Sequence, residues 1–150
     1  LPIFLPLNIK NIDNLIKSLI FLNKKKIINL KDFEVRNHPA STKSKKNLIA
    51  EKEINKIIND LKKNKVYKKK EIDYSIFIGT SGSIIEALEN GKNVIQITED
   101  NIFDYYSEKI LKNIKSKKIS KNIFIYKLKK KGQLIKLGNI KNNLKKITNL

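Results

Sequence analysis

The stretch 76-IFIGTSGSIIEALENGKNVIQI-97 decides the fold. An apolar run ends at Ile78 and meets the small polar turn Gly79-Thr80-Ser81-Gly82-Ser83. An amphipathic run from Ile84 follows, closed by Gly91, and a second apolar run starts at Val94. Strand, turn, helix and strand in so few residues is the pattern of a βαβ unit, whose strands run parallel.

Working outward, the alternation continues on both sides. Residues 2–7 (PIFLPL) read as a strand. Residues 11–24 place Ile12, Leu15, Ile16, Leu19 and Leu22 at helical spacing, with Asn11 or Asp13 near the start. Residues 32–39 (DFEVRNHP) alternate and run into a proline, as a strand leaving the sheet does. Residues 40–47 (ASTKSKKN) read as a loop. Residues 50–64 form a helix with Ile54, Ile57, Ile58 and Leu61 on one face and lysines gathered at its C-terminal end. A short strand is expected at 66–69, a buried strand at 73–80, a helix at 83–90 and a strand at 92–98. A helix at 103–114, a last strand at 122–128 and a C-terminal helix at 132–150 complete the chain. Alternating strands and helices imply one α/β domain over residues 1–150, built on a doubly wound parallel sheet. Ligands bind such sheets beyond the carboxyl ends of the strands. Two polar clusters fall there: Arg36-Asn37-His38 and Thr80-Ser81-Gly82-Ser83.

Composition narrows the function. The chain has 150 residues, 40% of them hydrophobic, and no apolar run reaches the length of a membrane span. There is no cysteine and only one histidine, which excludes a disulfide framework and a thiolate metal site and argues against a zinc site built on histidine. Methionine is absent even at position 1, so the chain is expected to be a fragment of a longer protein. The formal charge of +19 comes from lysines spread over nearly the whole length, in company with abundant Asn and Ile. That trio follows from A/T-rich codons without any ligand. Base-stacking aromatics interleaved with the basic runs are missing, so no specific nucleic acid is expected. Attraction to an anionic membrane surface is the more natural by-product of the charge. A non-enzymatic basic module that binds anionic membrane or nucleic acid through its lysines is an alternative reading of the chain.

The turn at 79–83 supports two readings. Backbone N–H groups at a helix start favour an anion, Gly82 lets a ligand approach the backbone, and the hydroxyls of Thr80, Ser81 and Ser83 add hydrogen bonds. Glu86, one turn into the helix, then suits the hydroxyls of a ribose. Equally, Ser83-Ile84-Ile85-Glu86 is an S-x-x-E capping box that satisfies only the helix itself. The turn matches neither a P-loop nor the G-x-G-x-x-G fingerprint. His38, held before Pro39 at a strand end, can donate to a phosphate oxygen, and Arg36 can add charge. Glu99, Asp100 and Asp104 follow the strand at 92–98 and read as a solvated loop. No Ser–His–Asp triad can be assembled.

Considered together, residues 34–40 (EVRNHPA) and 76–97 resemble the C-terminal, nucleotide-binding half of a GT-B glycosyltransferase, a Rossmann-like domain. More narrowly they are similar to the HP motif and Ser-rich motif of bacterial surface-polysaccharide enzymes. Those include sialyl- and Kdo-transferases that use CMP-sugars and the CDP-glycerol glycerophosphotransferases. The resemblance implies a CMP-, CDP- or UDP-linked donor, a glycan or lipid-linked acceptor and no other cofactor. It implies that His38 contacts the nucleotide phosphate and acts in catalysis, that Ser81, Ser83 and the turn amides hold the same phosphate, and that Glu86 faces the ribose or base. The run 86-EALENGKNVI-95 is also shared with the non-hydrolysing UDP-N-acetylglucosamine 2-epimerases, an alternative enzyme on the same fold. Two departures matter. The Glu-x7-Glu pair of retaining enzymes is absent, since position 78 is Ile78, which implies inversion. The adjacent serines of the Kdo, sialyl and glycerophosphate enzymes are replaced by Thr80-Ser81-Gly82-Ser83. The acceptor site and general base are expected from an N-terminal domain that the chain lacks. A cytoplasmic enzyme, peripheral on the inner face of the plasma membrane, fits this reading.

Overall fold

Tyr74–Ile78 and Asn93–Ile97 are buried from their second residue onward, as strands covered on both faces must be. They pair in parallel as the central strands of a six-stranded sheet. The computed structural model describes residues 1–39, 44–64, 72–99, 108 and 111–130. In chain order the elements are β1 (Pro2–Phe4), α1 (Ile12–Lys24), β2 (Glu34–Arg36), α2 (Lys45–Lys62), β3 (Tyr74–Ile78), α3 (Ser83–Glu89), β4 (Asn93–Ile97), β5 (Ile114–Ser120) and β6 (Ile123–Leu128). A single 3-10 turn, Leu30–Asp32, precedes β2.

The strand order is β2-β1-β3-β4-β6-β5. The first four strands are parallel, whereas β6 runs antiparallel to both β4 and β5. The wholly parallel sheet expected from the sequence is therefore corrected to a mixed one. The reason is the short link Lys121-Asn122 between the last two strands, which is far too short for a crossover and permits only a hairpin. β5, Ile-Lys-Ser-Lys-Lys-Ile-Ser, begins at Ile114, inside the span expected to be helical at 103–114; most of that span lies outside the described residues. The expected strand at 66–69 and helix at 132–150 also lie outside them.

Alternation along the strands sorts the side chains onto two faces. Ile3, Ile76, Ile78, Ile95, Ile97 and Ile123 meet Leu15, Leu19 and Leu22 of α1 and Ala50, Ile54 and Ile58 of α2. Phe77, Val94, Phe124 and Tyr126 meet Ile84 and Leu88 of α3 on the opposite face. The sheet is thus covered from both sides, compatible with a Rossmann-like fold.

Polar caps set where the helices start. The Asn11 side chain accepts from Asn14 N–H at 3.0 Å. Ser44 accepts from Asn47 N–H at 3.2 Å, so α2 begins at Lys45 and residues 45–47, expected in a loop, are helical.

Candidate functional site

The chain leaves β1 for β2 on one side and returns to β3 on the other. The strand order reverses at β1, and the carboxyl ends of β2, β1 and β3 lie side by side at that point, where doubly wound sheets bind ligands. The segment after β2 is Asn37-His38-Pro39; the segment after β3 is Gly79 to Ser83. Two strand spacings, about 10 Å, separate them. The topology therefore sets the two polar clusters at the same edge of the sheet, on either side of β1.

Buried polar residues hold the loops of this edge. Asn47, fully buried in the first turn of α2, accepts from Ile9 N–H at 3.0 Å and donates to the Pro6 carbonyl at 2.9 Å. It thereby fixes the loop that follows β1. One turn on, Glu51 accepts from the Asn37 amide at 2.9 Å and ties down the segment carrying His38. Asn37 Oδ1 is buried with no hydrogen-bond partner among the described residues. Gln96 of β4, also fully buried, donates to the Gly79 carbonyl at 3.0 Å and accepts from the Tyr126 hydroxyl at 3.2 Å. The turn at 79–83 thus hangs from an amide and a phenol in the core. Glu99 accepts from Lys10 N–H at 3.0 Å and joins the end of β4 to the loop before α1. It is half-buried rather than fully solvated.

Gly79 has φ +78°, so this position favours glycine, and a side chain there would touch Pro6 at 3.8 Å. Gly82 differs. Its φ of −59° suits any residue, and a Cβ there would meet nothing within 4 Å. Among the described residues nothing in the packing requires a glycine at position 82.

The capping box is not formed. Gly82, not Ser83, is the N-cap of α3, and no side chain caps the helix. Ser81 Oγ instead accepts from Ser83 N–H at 3.2 Å, within the turn. Thr80 and Ser83 are exposed, and Glu86 is exposed on the first turn with no hydrogen bond or ion pair from its carboxylate to a described residue. His38 is exposed beyond β2. Arg36 is turned back along its own strand: its Nη2 and Nε donate to Glu34 Oε1 at 2.7 and 3.1 Å. That hydrogen bond and the Arg36 charge hold the Glu34 carboxyl below the usual range. In this arrangement the guanidinium serves Glu34, while His38 and the turn at 79–83 follow the two strands that flank β1. Ile78, at the position where retaining enzymes carry the first acid of their pair, is buried among the apolar residues beneath α1 and α2.

Sequence reading overlooked Asn47, Glu51 and Gln96. Asn47 lies in a polar run that reads as loop. Gln96 did leave a trace, as the lone polar side chain inside an otherwise apolar strand. No family model matches the chain, and no curated protein or solved structure is significantly similar to it.

Proposed function

We propose that this chain is the donor-binding domain of an inverting glycosyltransferase. It would hold a sugar linked through CMP, CDP or UDP for transfer to a cell-surface glycan or lipid-linked acceptor. The observation that carries this reading is the meeting of the His38 segment and the 79–83 turn on either side of the strand-order reversal at β1. The unformed capping box and the open space around Gly82 add to it. An N-cap glycine and a first-turn acid also serve the helix itself; a nucleotide lying on the turn would give both a further task.

In the proposed reaction an acceptor hydroxyl attacks the anomeric carbon. The new C–O bond forms as the bond to the leaving phosphate oxygen breaks, and the electron pair departs with the phosphate. The acceptor proton passes to a base expected from a second domain. The groups assigned to this chain stabilise the leaving phosphate. The imidazole of His38 donates to it from one wall, and Ser81 and Ser83 N–H receive it at the other. The Ser83 N–H contact to Ser81 Oγ is long, so a phosphate oxygen can take it over. Glu86 is assigned to the ribose. Nucleotide-sugar donors make the cytoplasm the expected compartment.

Calorimetric titration of the full chain with CMP, CDP and UDP tests the proposal. Binding of at least one is expected, and His38→Ala and Ser81→Ala should each weaken it roughly ten- to a hundredfold, the worth of one charge-assisted hydrogen bond. Absence of binding for all three, or binding indifferent to both substitutions, would falsify it.

A further inference from the structure

The opposite edge of the sheet carries a second concave surface. A cleft of about 670 Å³ opens where the amino ends of β3 and β4 meet the hairpin β5–β6. Its floor includes Ile27, Tyr74, Ile119 and Ile125, with Ile72 beside them at 48% exposure. Lys115, Lys117 and Lys127 line the same cleft.

The strand register makes this cluster unusual. Lys115 stands directly opposite Lys127 across the β5–β6 ladder, and Lys117 lies two residues along on the same face. Directly opposed like charges disfavour strand pairing. None of the three ammonium groups forms an ion pair with a described residue. The acid of the cleft, Glu108, accepts from Ser116 N–H at 2.7 Å. A smaller cavity on the far side of Lys115 and Lys127 is lined by Lys92 and Lys129 as well, so the positive field continues around the edge. The chain here places cations together over an apolar floor, at a cost to the hairpin.

We infer that this corner is a docking surface for a bilayer containing anionic phospholipid, with the lysines meeting headgroup phosphates and the exposed Ile72 entering the headgroup–acyl boundary. Charge complementarity selects an anion, and the aliphatic floor selects lipid over nucleic acid. Among the described residues Tyr74 is the one aromatic ring in the cleft, whereas single strands bind on successive stacking platforms. The surface lies at the opposite end of the strands from the candidate nucleotide site, so the inference does not rest on the proposed activity.

Sedimentation of the full chain with vesicles tests it, comparing pure phosphatidylcholine with phosphatidylcholine containing phosphatidylglycerol. Binding is expected only to the anionic vesicles. Lys115→Gln/Lys117→Gln/Lys127→Gln should lower the partition coefficient on the order of a hundredfold, at about fivefold per lysine near the surface. The control Lys52→Gln/Lys56→Gln/Lys62→Gln removes equal charge from α2 and should lose much less. Ile72→Ser, at an exposed position where folding is not at stake, should lower vesicle partition severalfold. Equal losses for the two triple variants, or an unchanged partition for Ile72→Ser, overturn the inference. So does single-stranded RNA binding more tightly than the vesicles and displacing the chain from them. Circular dichroism melts of each variant establish that folded protein is being compared.

Discussion

Gly79 and Gly82 sit three residues apart in one turn, yet the backbone asks different things of them. Gly79 adopts a left-handed φ of +78°, a conformation that costs other residues about 1–2 kcal/mol. Gly79→Ala should therefore lower unfolding stability by that amount in urea melts. Gly82→Ala should stay within about 0.5 kcal/mol of the parent, since its φ is ordinary and its surroundings are open. If a ligand does lie on the turn, the same silent substitution should weaken nucleotide binding, which separates a structural glycine from one kept for access. Asn47 makes the opposite prediction. Asn47→Ala leaves the Ile9 N–H and the Pro6 carbonyl without their buried partner, and a loss of about 2–4 kcal/mol is expected in the same melts. A loss below 1 kcal/mol would mean that water replaces the amide, and Asn47 would no longer count as the clamp on that loop.

Among the elements, the hairpin β5–β6 shows how charge and ladder compete. Lys115→Glu turns an opposed like pair into an opposed unlike pair, and should raise stability by about 0.5 kcal/mol at low salt. The gain should shrink in 1 M salt, where the screening length falls to about 3 Å. The same hairpin marks where sequence reading stops. β3, α3 and β4 are legible because their apolar runs are continuous and small residues divide them. α1 and α2 are legible because Leu15, Leu19, Leu22, Ile54 and Ile58 fall at helical spacing. β5 is not, because an edge strand defended by lysines carries little apolar alternation. Its pairing is set by β6 and by the two-residue link, which are tertiary facts. The candidate site divides in the same way. His38 and the turn at 79–83 stand at strand ends and can be read from the sequence. Asn47 and Gln96 act through backbone groups far away in the chain, and no local pattern announces them.

Across the whole molecule, Tyr74 links the cleft to alkaline stability. Partial burial raises its pKa above the usual 10. The unfolded chain therefore releases this proton first, so the contribution of Tyr74 is intact below about pH 10 and is lost as pH climbs through the folded value. Spectrophotometric titration should show a late tyrosine component that Tyr74→Phe removes. Among the described residues no helix is long and apolar enough to cross a membrane.

The core is divided unequally by the sheet. Among the described residues seventeen buried ones form the cluster on the side of α1 and α2, against eight on the side of α3. Opening α3 alone exposes far less than global unfolding does, so its amide hydrogens should exchange with deuterium sooner than those of α1. Of the three described α-helices, the one nearest the candidate phosphate turn is then also the most free to breathe. Occupancy of the turn would slow that breathing in proportion to ligand excess, about a hundredfold at a hundred times the dissociation constant. Deuterium uptake at Ile84 to Glu89 becomes a gauge of what the turn holds.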